Sequence, residues 1–176
     1  DPVSGVAQVV KNAGDIAYRG FELESVYSMT DTVTMLASVG YVHSKYENLI
    51  SDLNGDFIIN YLDYALEIPR AAPLTYSLAF NVDGNLGSWR TITRISYYHR
   101  DKSYYNENNQ GYINKQDILN FGYDVYSPNG KINVGIYGKN LSNEVKHGGD
   151  TNLSFGGTFA PLAKGKVIGA EVVYKF

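Results

Sequence analysis

Between Leu74 and Val82 every second residue is apolar. Leu74, Tyr76, Leu78, Phe80 and Val82 fall on one side of an extended chain, and Thr75, Ser77, Ala79 and Asn81 on the other. A period of two is that of a β-strand, whose side chains point alternately to opposite faces. The same alternation recurs along the chain, so the sequence is bound to build a sheet with one apolar and one polar face. Segment 118–126 sets Leu119, Phe121, Tyr123 and Val125 against Asn120, Gly122 and Asp124. Segment 131–141 sets Ile132, Val134 and Ile136 against Asn133, Gly135 and Tyr137. In 33–41, Val33, Met35, Ala37, Val39 and Tyr41 oppose Thr34, Ser38 and Gly40, with Leu36 the exception. Segments 18–27 and 89–100 put charge on the polar side: Gly20, Glu22 and Glu24 oppose Phe21, Leu23 and Tyr27, while Arg90, Arg94, Ser96 and Arg100 oppose Trp89, Thr91, Thr93, Ile95 and Tyr97. A last strand, 166–176, aligns Ile168, Ala170, Val172, Tyr174 and Phe176. Residues 1–14 are expected to finish an earlier strand through Val6, Val9 and Val10.

The connections alternate in length. Those at 28–32, 83–88 and 127–130 are short, with Asp83-Gly84 and Ser127-Pro128-Asn129-Gly130 as the turn residues. Those at 45–73, 101–111 and 142–165 are long. Short turns on one side and long loops on the other are the asymmetry of outer-membrane barrels. Trp89, Tyr27, Tyr126 and Phe176 fall at the short-turn end, and Tyr97 and Tyr41 towards the long-loop end, as aromatic girdles at two lipid–water boundaries would. The 16 Tyr residues feed this pattern and suit half-buried pleated surfaces. No apolar run approaches the ~18 residues of a spanning helix. A mean hydropathy of −0.25 is compatible with a barrel, whose strands meet lipid with alternate residues only. The net charge of −3, without a block of Lys or Arg, speaks against nucleic acid as a partner. The absence of Cys excludes a disulfide scaffold and a cysteine zinc site. Asp1 follows neither a start Met nor a secretory signal, so the chain is expected to be a mature or internal segment that continues upstream.

Four stretches resemble the TonB-dependent receptor family. Asn12-Ala13-Gly14-Asp15-Ile16-Ala17-Tyr18-Arg19-Gly20-Phe21-Glu22-Leu23-Glu24 is similar to its N-x-G-x-x-x-x-G-x-E-x-E strand. Ile68-Pro69-Arg70-Ala71-Ala72-Pro73 resembles its P-R-x-P element, and Tyr137-Gly138-Lys139-Asn140-Leu141-Ser142-Asn143-Glu144 its "N-L" element in the penultimate strand. The stretch 165–176 resembles its last strand, closing on a terminal aromatic. The resemblance implies that residues 1–176 are the C-terminal part of a transmembrane barrel of about 22 antiparallel strands. The plug domain and earlier strands would lie outside these residues, because seven such strands cannot close around so wide a lumen and open edges are not viable in lipid.

The resemblance also implies roles. Phe176, Tyr174 and Val172 would form the signal read by the barrel-assembly machinery, by pairing of an open strand edge; lipid-facing packing is the plainer reading. Glu22, Glu24, Arg90, Arg94, Arg100, Asp124 and Glu171 would line the lumen. Cross-strand pairing is the favoured reading of these charges, with Asp124 near Arg90 and Asn120 near Arg94, and plug docking a partial exception. Tyr46, Tyr61, Tyr64, Tyr104, Tyr105, Asn106, Asn108, Phe155 and Phe159 lie in long connections, where aromatic and amide groups suit a sugar, a siderophore or another organic chelate. Tyr104, Tyr105 and Asn106, with Tyr61 and Tyr64, are the ligand-facing candidates, against ordinary packing between loops or against lipopolysaccharide. His43, His99 and His147 share the long-loop side, but no spacing supports a shared metal ion, and no metal or cofactor is expected. No G-x-S-x-G, H-E-x-x-H or cysteine nucleophile is present, so no enzymatic activity is expected.

The function expected is therefore that of an outer-membrane receptor importing a scarce ligand, energised by the TonB complex through the plug. A passive porin of about 16–18 strands and a soluble β-sandwich binding module are the alternatives. A plug with its TonB box would single out the first, an open lumen the second, and solubility without detergent the third.

Overall fold

The computed structural model describes residues 12–146, 151–153 and 157–176; the expected strand through Val6, Val9 and Val10 lies outside them. In chain order the elements are β1 (Gly14–Ser28), β2 (Val33–Leu49), α1 (Tyr61–Tyr64), β3 (Leu74–Leu86), β4 (Trp89–Arg100), β5 (Ser103–Tyr104), β6 (Tyr112–Ile113), β7 (Gln116–Tyr126), β8 (Ile132–Lys139), β9 (Thr151–Leu153), β10 (Gly157–Phe159) and β11 (Val167–Tyr174). Seven of them make one antiparallel sheet in the order β1-β2-β3-β4-β7-β8-β11. Hairpins β5–β6 and β9–β10 belong to the long connections. Apart from these, every strand pairs with its sequence neighbour, which is an up-and-down meander.

Register carries the two-faced pattern across the whole sheet. Phe80 lies between Met35 and Ile95, Ile95 faces Phe121, Tyr123 faces Ile136, and Ile136 faces Ala170. The other face aligns Glu24 with Ser38 and Ser77, Asn81 with Arg94 and Gly122, and Asp124 with Gly135 and Glu171. The apolar face is uncovered: Leu23 is 63% exposed, Ile136 51%, Ile168 72% and Val172 70%. A β-sandwich would bury these rows against a second sheet, and among the described residues nothing lies over them. Among the described residues the buried hydrophobics are Tyr46, Leu49, Leu53, Ile68 and Ala72, all in or beside the 50–73 connection. The sheet is thus a single layer with an apolar outside, the wall of a β-barrel rather than half of a soluble core.

Three expectations need correction. The turn between β3 and β4 is at Gly87-Ser88, with Gly87 at φ +62°, and not at Asp83-Gly84, which pair with Ile92 and Thr91 inside the ladder. Strand β2 runs on to Leu49, so Tyr46 is a buried strand residue rather than part of a loop. Tyr126 stands in register with Arg90 and Asn133, on the charged face, and so does not belong to the outer aromatic girdle. The Ser127–Gly130 turn forms as expected: Gly130 donates to the Ser127 carbonyl at 2.9 Å, and its φ of +68° suits glycine.

Candidate functional site

The long connections gather at one end of the sheet, and the first of them is organised around acidic side chains. Asp63 is fully buried. Its Oδ1 accepts from the N–H groups of Leu53 (2.9 Å) and Asn54 (3.0 Å), and its Oδ2 from Asn60 (2.9 Å). These donors, Asn60 first, hold its carboxyl below the usual carboxylate range against the opposing effect of burial. Asp52 accepts from Gly55 and Phe57, and Asp56 from Ile58, both turns tightened by short side chains that reach back to the backbone. Asn60 caps α1 by accepting from Leu62 at 2.8 Å. The tip carries apolar side chains outward: Phe57 is 95% exposed, at φ +69°, with Ile58 and Tyr61 beside it.

The second connection is clamped to the first. Asn109 accepts from the Glu67 N–H at 2.7 Å and donates to the Glu67 carbonyl at 2.9 Å, and the Arg70 N–H donates to the Tyr104 carbonyl at 2.7 Å. The Arg70 guanidinium lies 4.8 Å over the Tyr105 ring, and Lys102 sits 4.6 Å from both Tyr104 and Tyr112. The ligand-facing candidates are therefore partly engaged. Tyr104 and Tyr105 each hold a cation, Asn106 accepts from the Gly111 N–H at 3.0 Å, and the Tyr64 hydroxyl accepts from the Leu49 N–H at 3.1 Å. Tyr61, 78% exposed, presents its ring outward. Of the remaining loop aromatics, Phe159 is exposed, while Phe155, like His147, lies outside the described residues.

On the charged face Glu22, Glu24, Arg90, Arg94, Asp124 and Glu171 share one side by register. The pairing differs from expectation by two residues. Arg94, not Arg90, bonds Asp124; Arg90 reaches Asp83 of β3, its Nε donating at 3.0 Å; and Asn120 donates to Ser96 at 3.2 Å. Arg90 faces Asn85 in the β3–β4 ladder and Arg94 faces Gly122 in the β4–β7 ladder, so each Arg reaches its acid along a diagonal. An open hollow of about 660 Å³ lies here, lined by Arg94, Asn120, Asp124, Tyr137 and Glu171. At the other end, Tyr174 and Phe176 meet edge to face at 5.2 Å, Phe176 fully exposed, and Val172 pairs with Val134. Glu22, Glu24 and Glu171 have no ion pair among the described residues.

Sequence reasoning missed what three groups of residues do. Asn140, at φ +51°, ties the last long connection together: its amide donates to the carbonyls of Glu144 (3.2 Å) and Lys164 (3.0 Å) and accepts from the Glu144 N–H (2.9 Å). His99 bonds two carboxylates. Oxygens of Asp52, Asp56 and Asp63 lie within 4.8 Å of one another, the group among the described residues that could hold a metal ion. They stand at the first, fifth and twelfth places of a stretch with Asn54 and Asn60 at the third and ninth. That is the oxygen spacing of calcium-binding loops, although Phe57 stands where such loops carry glycine and Asp63 where they carry glutamate. The spacing is legible in the sequence, in oxygen-bearing side chains and not in histidine.

No protein-family model matches the chain, and no curated protein does. Among solved structures it is similar to the crystal structure of the ferric yersiniabactin uptake receptor FyuA from Yersinia pestis. The TM-score is 0.77 at 16% identity, over 94% of this chain and 24% of that one. The chain thus spans about a quarter of that receptor's length. At this identity the likeness is one of fold: the seven-stranded sheet has the form of part of a receptor barrel.

Proposed function

We propose that residues 1–176 form the C-terminal part of the barrel of a TonB-dependent outer-membrane receptor that imports a ligand such as a ferric siderophore or another scarce nutrient. The observation that carries this reading is the unbroken apolar band across seven strands, uncovered on one face and backed by a charged face on the other. The family motifs support it as well. Glu22 and Glu24 lie in β1, Arg70 stands before β3 and Asn140 just after β8, and the last two bond across the long connections. In this reading the clamped connections meet the ligand, and the plug docks on the charged face of a barrel of about 22 strands. The TonB complex moves the plug, and Val172, Tyr174 and Phe176 are read by the barrel-assembly machinery. Lipid and lipopolysaccharide cover the apolar band. No step of the function calls for catalysis.

Two measurements test it. The intact mass of the source polypeptide from an outer-membrane fraction is expected to be several times 19.5 kDa. Ligand accumulation is expected to stop when TonB is deleted. Uptake that persists without TonB and follows the external concentration would replace the receptor by a passive porin. A protein that stays in solution without detergent would sink both.

A further inference from the structure

We infer that His99 is a pH-sensitive clasp that closes the base of the 101–115 connection, so that the rim loosens when the imidazole gives up its second proton. His99 lies at the long-connection end of β4, in the outward row, with 12% of its side chain exposed. Its Nδ1 is 2.6 Å from Asp117 Oδ1 and its Nε2 is 3.1 Å from Asp101 Oδ1. Only the imidazolium has an N–H at both positions; either neutral tautomer turns one bare nitrogen lone pair towards a carboxylate. Asp101 opens the connection and Asp117 follows its close, so one ring ties both ends together.

The other groups around the ring decide which tie gives way. From β3, Tyr76 stacks on it at 4.6 Å and 15°. From β4, the Tyr97 hydroxyl donates to Asp117 at 2.7 Å. From the connection itself, Lys115 Nζ is 3.1 Å from the second Asp117 oxygen, and from the β8–β11 connection Glu144 acts on Lys115 through space. Asp117 thus keeps two donors when His99 is neutral. The Asp101 carboxylate has no side-chain partner other than His99 among the described residues. The remaining proton stays at Nδ1, on the shorter 2.6 Å bond to Asp117, so deprotonation frees the 3.1 Å tie to Asp101, which has no other side chain among the described residues to hold it. The clamp of Arg70 and Asn109 carries that loosening into the 50–73 connection.

The sign follows from the geometry. Two carboxylates within hydrogen-bond reach favour the charged ring, so the clasp is closed at low pH and opens as pH rises above the ordinary imidazole value. The inference deepens the proposed function, as regulation of the ligand-facing rim, but its test needs no ligand. Amide hydrogen exchange of the protein in detergent, corrected for intrinsic rates, is compared at about pH 6 and about pH 9. Amides of 101–115 are expected to lose about five- to tenfold protection at the higher pH, while those of β3, β4 and β7 hold theirs. His99→Gln and, separately, Asp101→Asn are expected to flatten that response; if one fails to fold, the other supplies the test. A wild-type rim whose protection ignores pH, or a variant that keeps the full response, overturns the clasp. Loss of TonB dependence with the exchange response intact would overturn the transport reading alone.

Discussion

The wall and the rim of this protein solve opposite problems. In the wall, the seven strands of the main sheet turn Phe21, Ile95, Ile136 and Val172 outward, uncovered among the described residues, and hold shape through the ladder. In the rim, Leu49, Leu53 and Ile68 are buried and the chain is shaped by side-chain bonds to the backbone, with Asp63 and Asn109 as centres. The wall is thus fitted to a solvent that makes no hydrogen bonds, where every backbone group has to be satisfied by a neighbouring strand. The rim is fitted to water, and spends polar side chains on fixing irregular backbone. The two regions should accordingly fail to different insults.

The largest effect expected is from Ile95→Arg, in the middle of the apolar band between Phe80 and Phe121. A cation there costs about 2–4 kcal/mol at the bilayer midplane, and outer-membrane yield of the folded form should fall sharply. Ser96→Arg, one residue on and facing the other side, should assemble normally. Equal yields for the two would remove the lipid-facing assignment. Next comes Asn140→Ala, which strips three carbonyl and N–H partners at a left-handed position. A loss of about 2 kcal/mol is expected, read as earlier thermal unfolding, and a variant as stable as the parent would show that the last connection is held by other means.

Acid separates wall from rim without mutation. Asp63 is held below the usual carboxylate range chiefly by the Asn60 N–H, so its contribution is present above that range and is lost as pH falls through the folded value. Limited proteolysis in acid should therefore cut within 50–66 while the strands stay intact, and Asp63→Asn should move that onset to neutral pH. The direction is opposite to that of the His99 clasp, which opens as pH rises. One rim with two connections released at opposite ends of the pH scale is the expected pattern. A wall that opens together with the rim in acid would show that Asp63 is not a local support.

How much of this was legible beforehand follows from what has a period. The seven strands and the side taken by Glu22, Arg94, Asp124 and Glu171 could be read because alternation survives in the sequence whatever the register. The register itself could not. The β4–β7 connection includes a hairpin and runs to 115, and a shift of two residues keeps every side chain on its face while exchanging its partner, Arg94 for Arg90 on Asp124. Asp83-Gly84 looked like a turn because those residues favour turns, but the ladder ran on and Gly87 took the positive φ. The rim left almost no trace. Bonds from Asn109 to Glu67 or from His99 to Asp117 obey no spacing, since they depend on which segments meet. The oxygen spacing from Asp52 to Asp63 is the exception, because it is local to one stretch of chain.

The smallest effect expected is on the charged face. Arg90 and Asp83 are 61% and 47% exposed along their side chains, so Arg90→Gln should cost about 0–1 kcal/mol. Arg94→Gln should cost somewhat more, because the Asp124 it leaves behind is only 14% exposed and keeps less water around its charge. Both values apply to a face open to water. If the proposed plug packs on this face, Arg94 and Asp124 lose their solvent there and the difference between the two variants widens. Measuring both in the intact protein and again after the plug is deleted isolates that change. A gap between Arg94→Gln and Arg90→Gln that closes on plug deletion would place the plug against the Asp124–Glu171 hollow, and a gap that does not move would leave this stretch of wall facing open lumen.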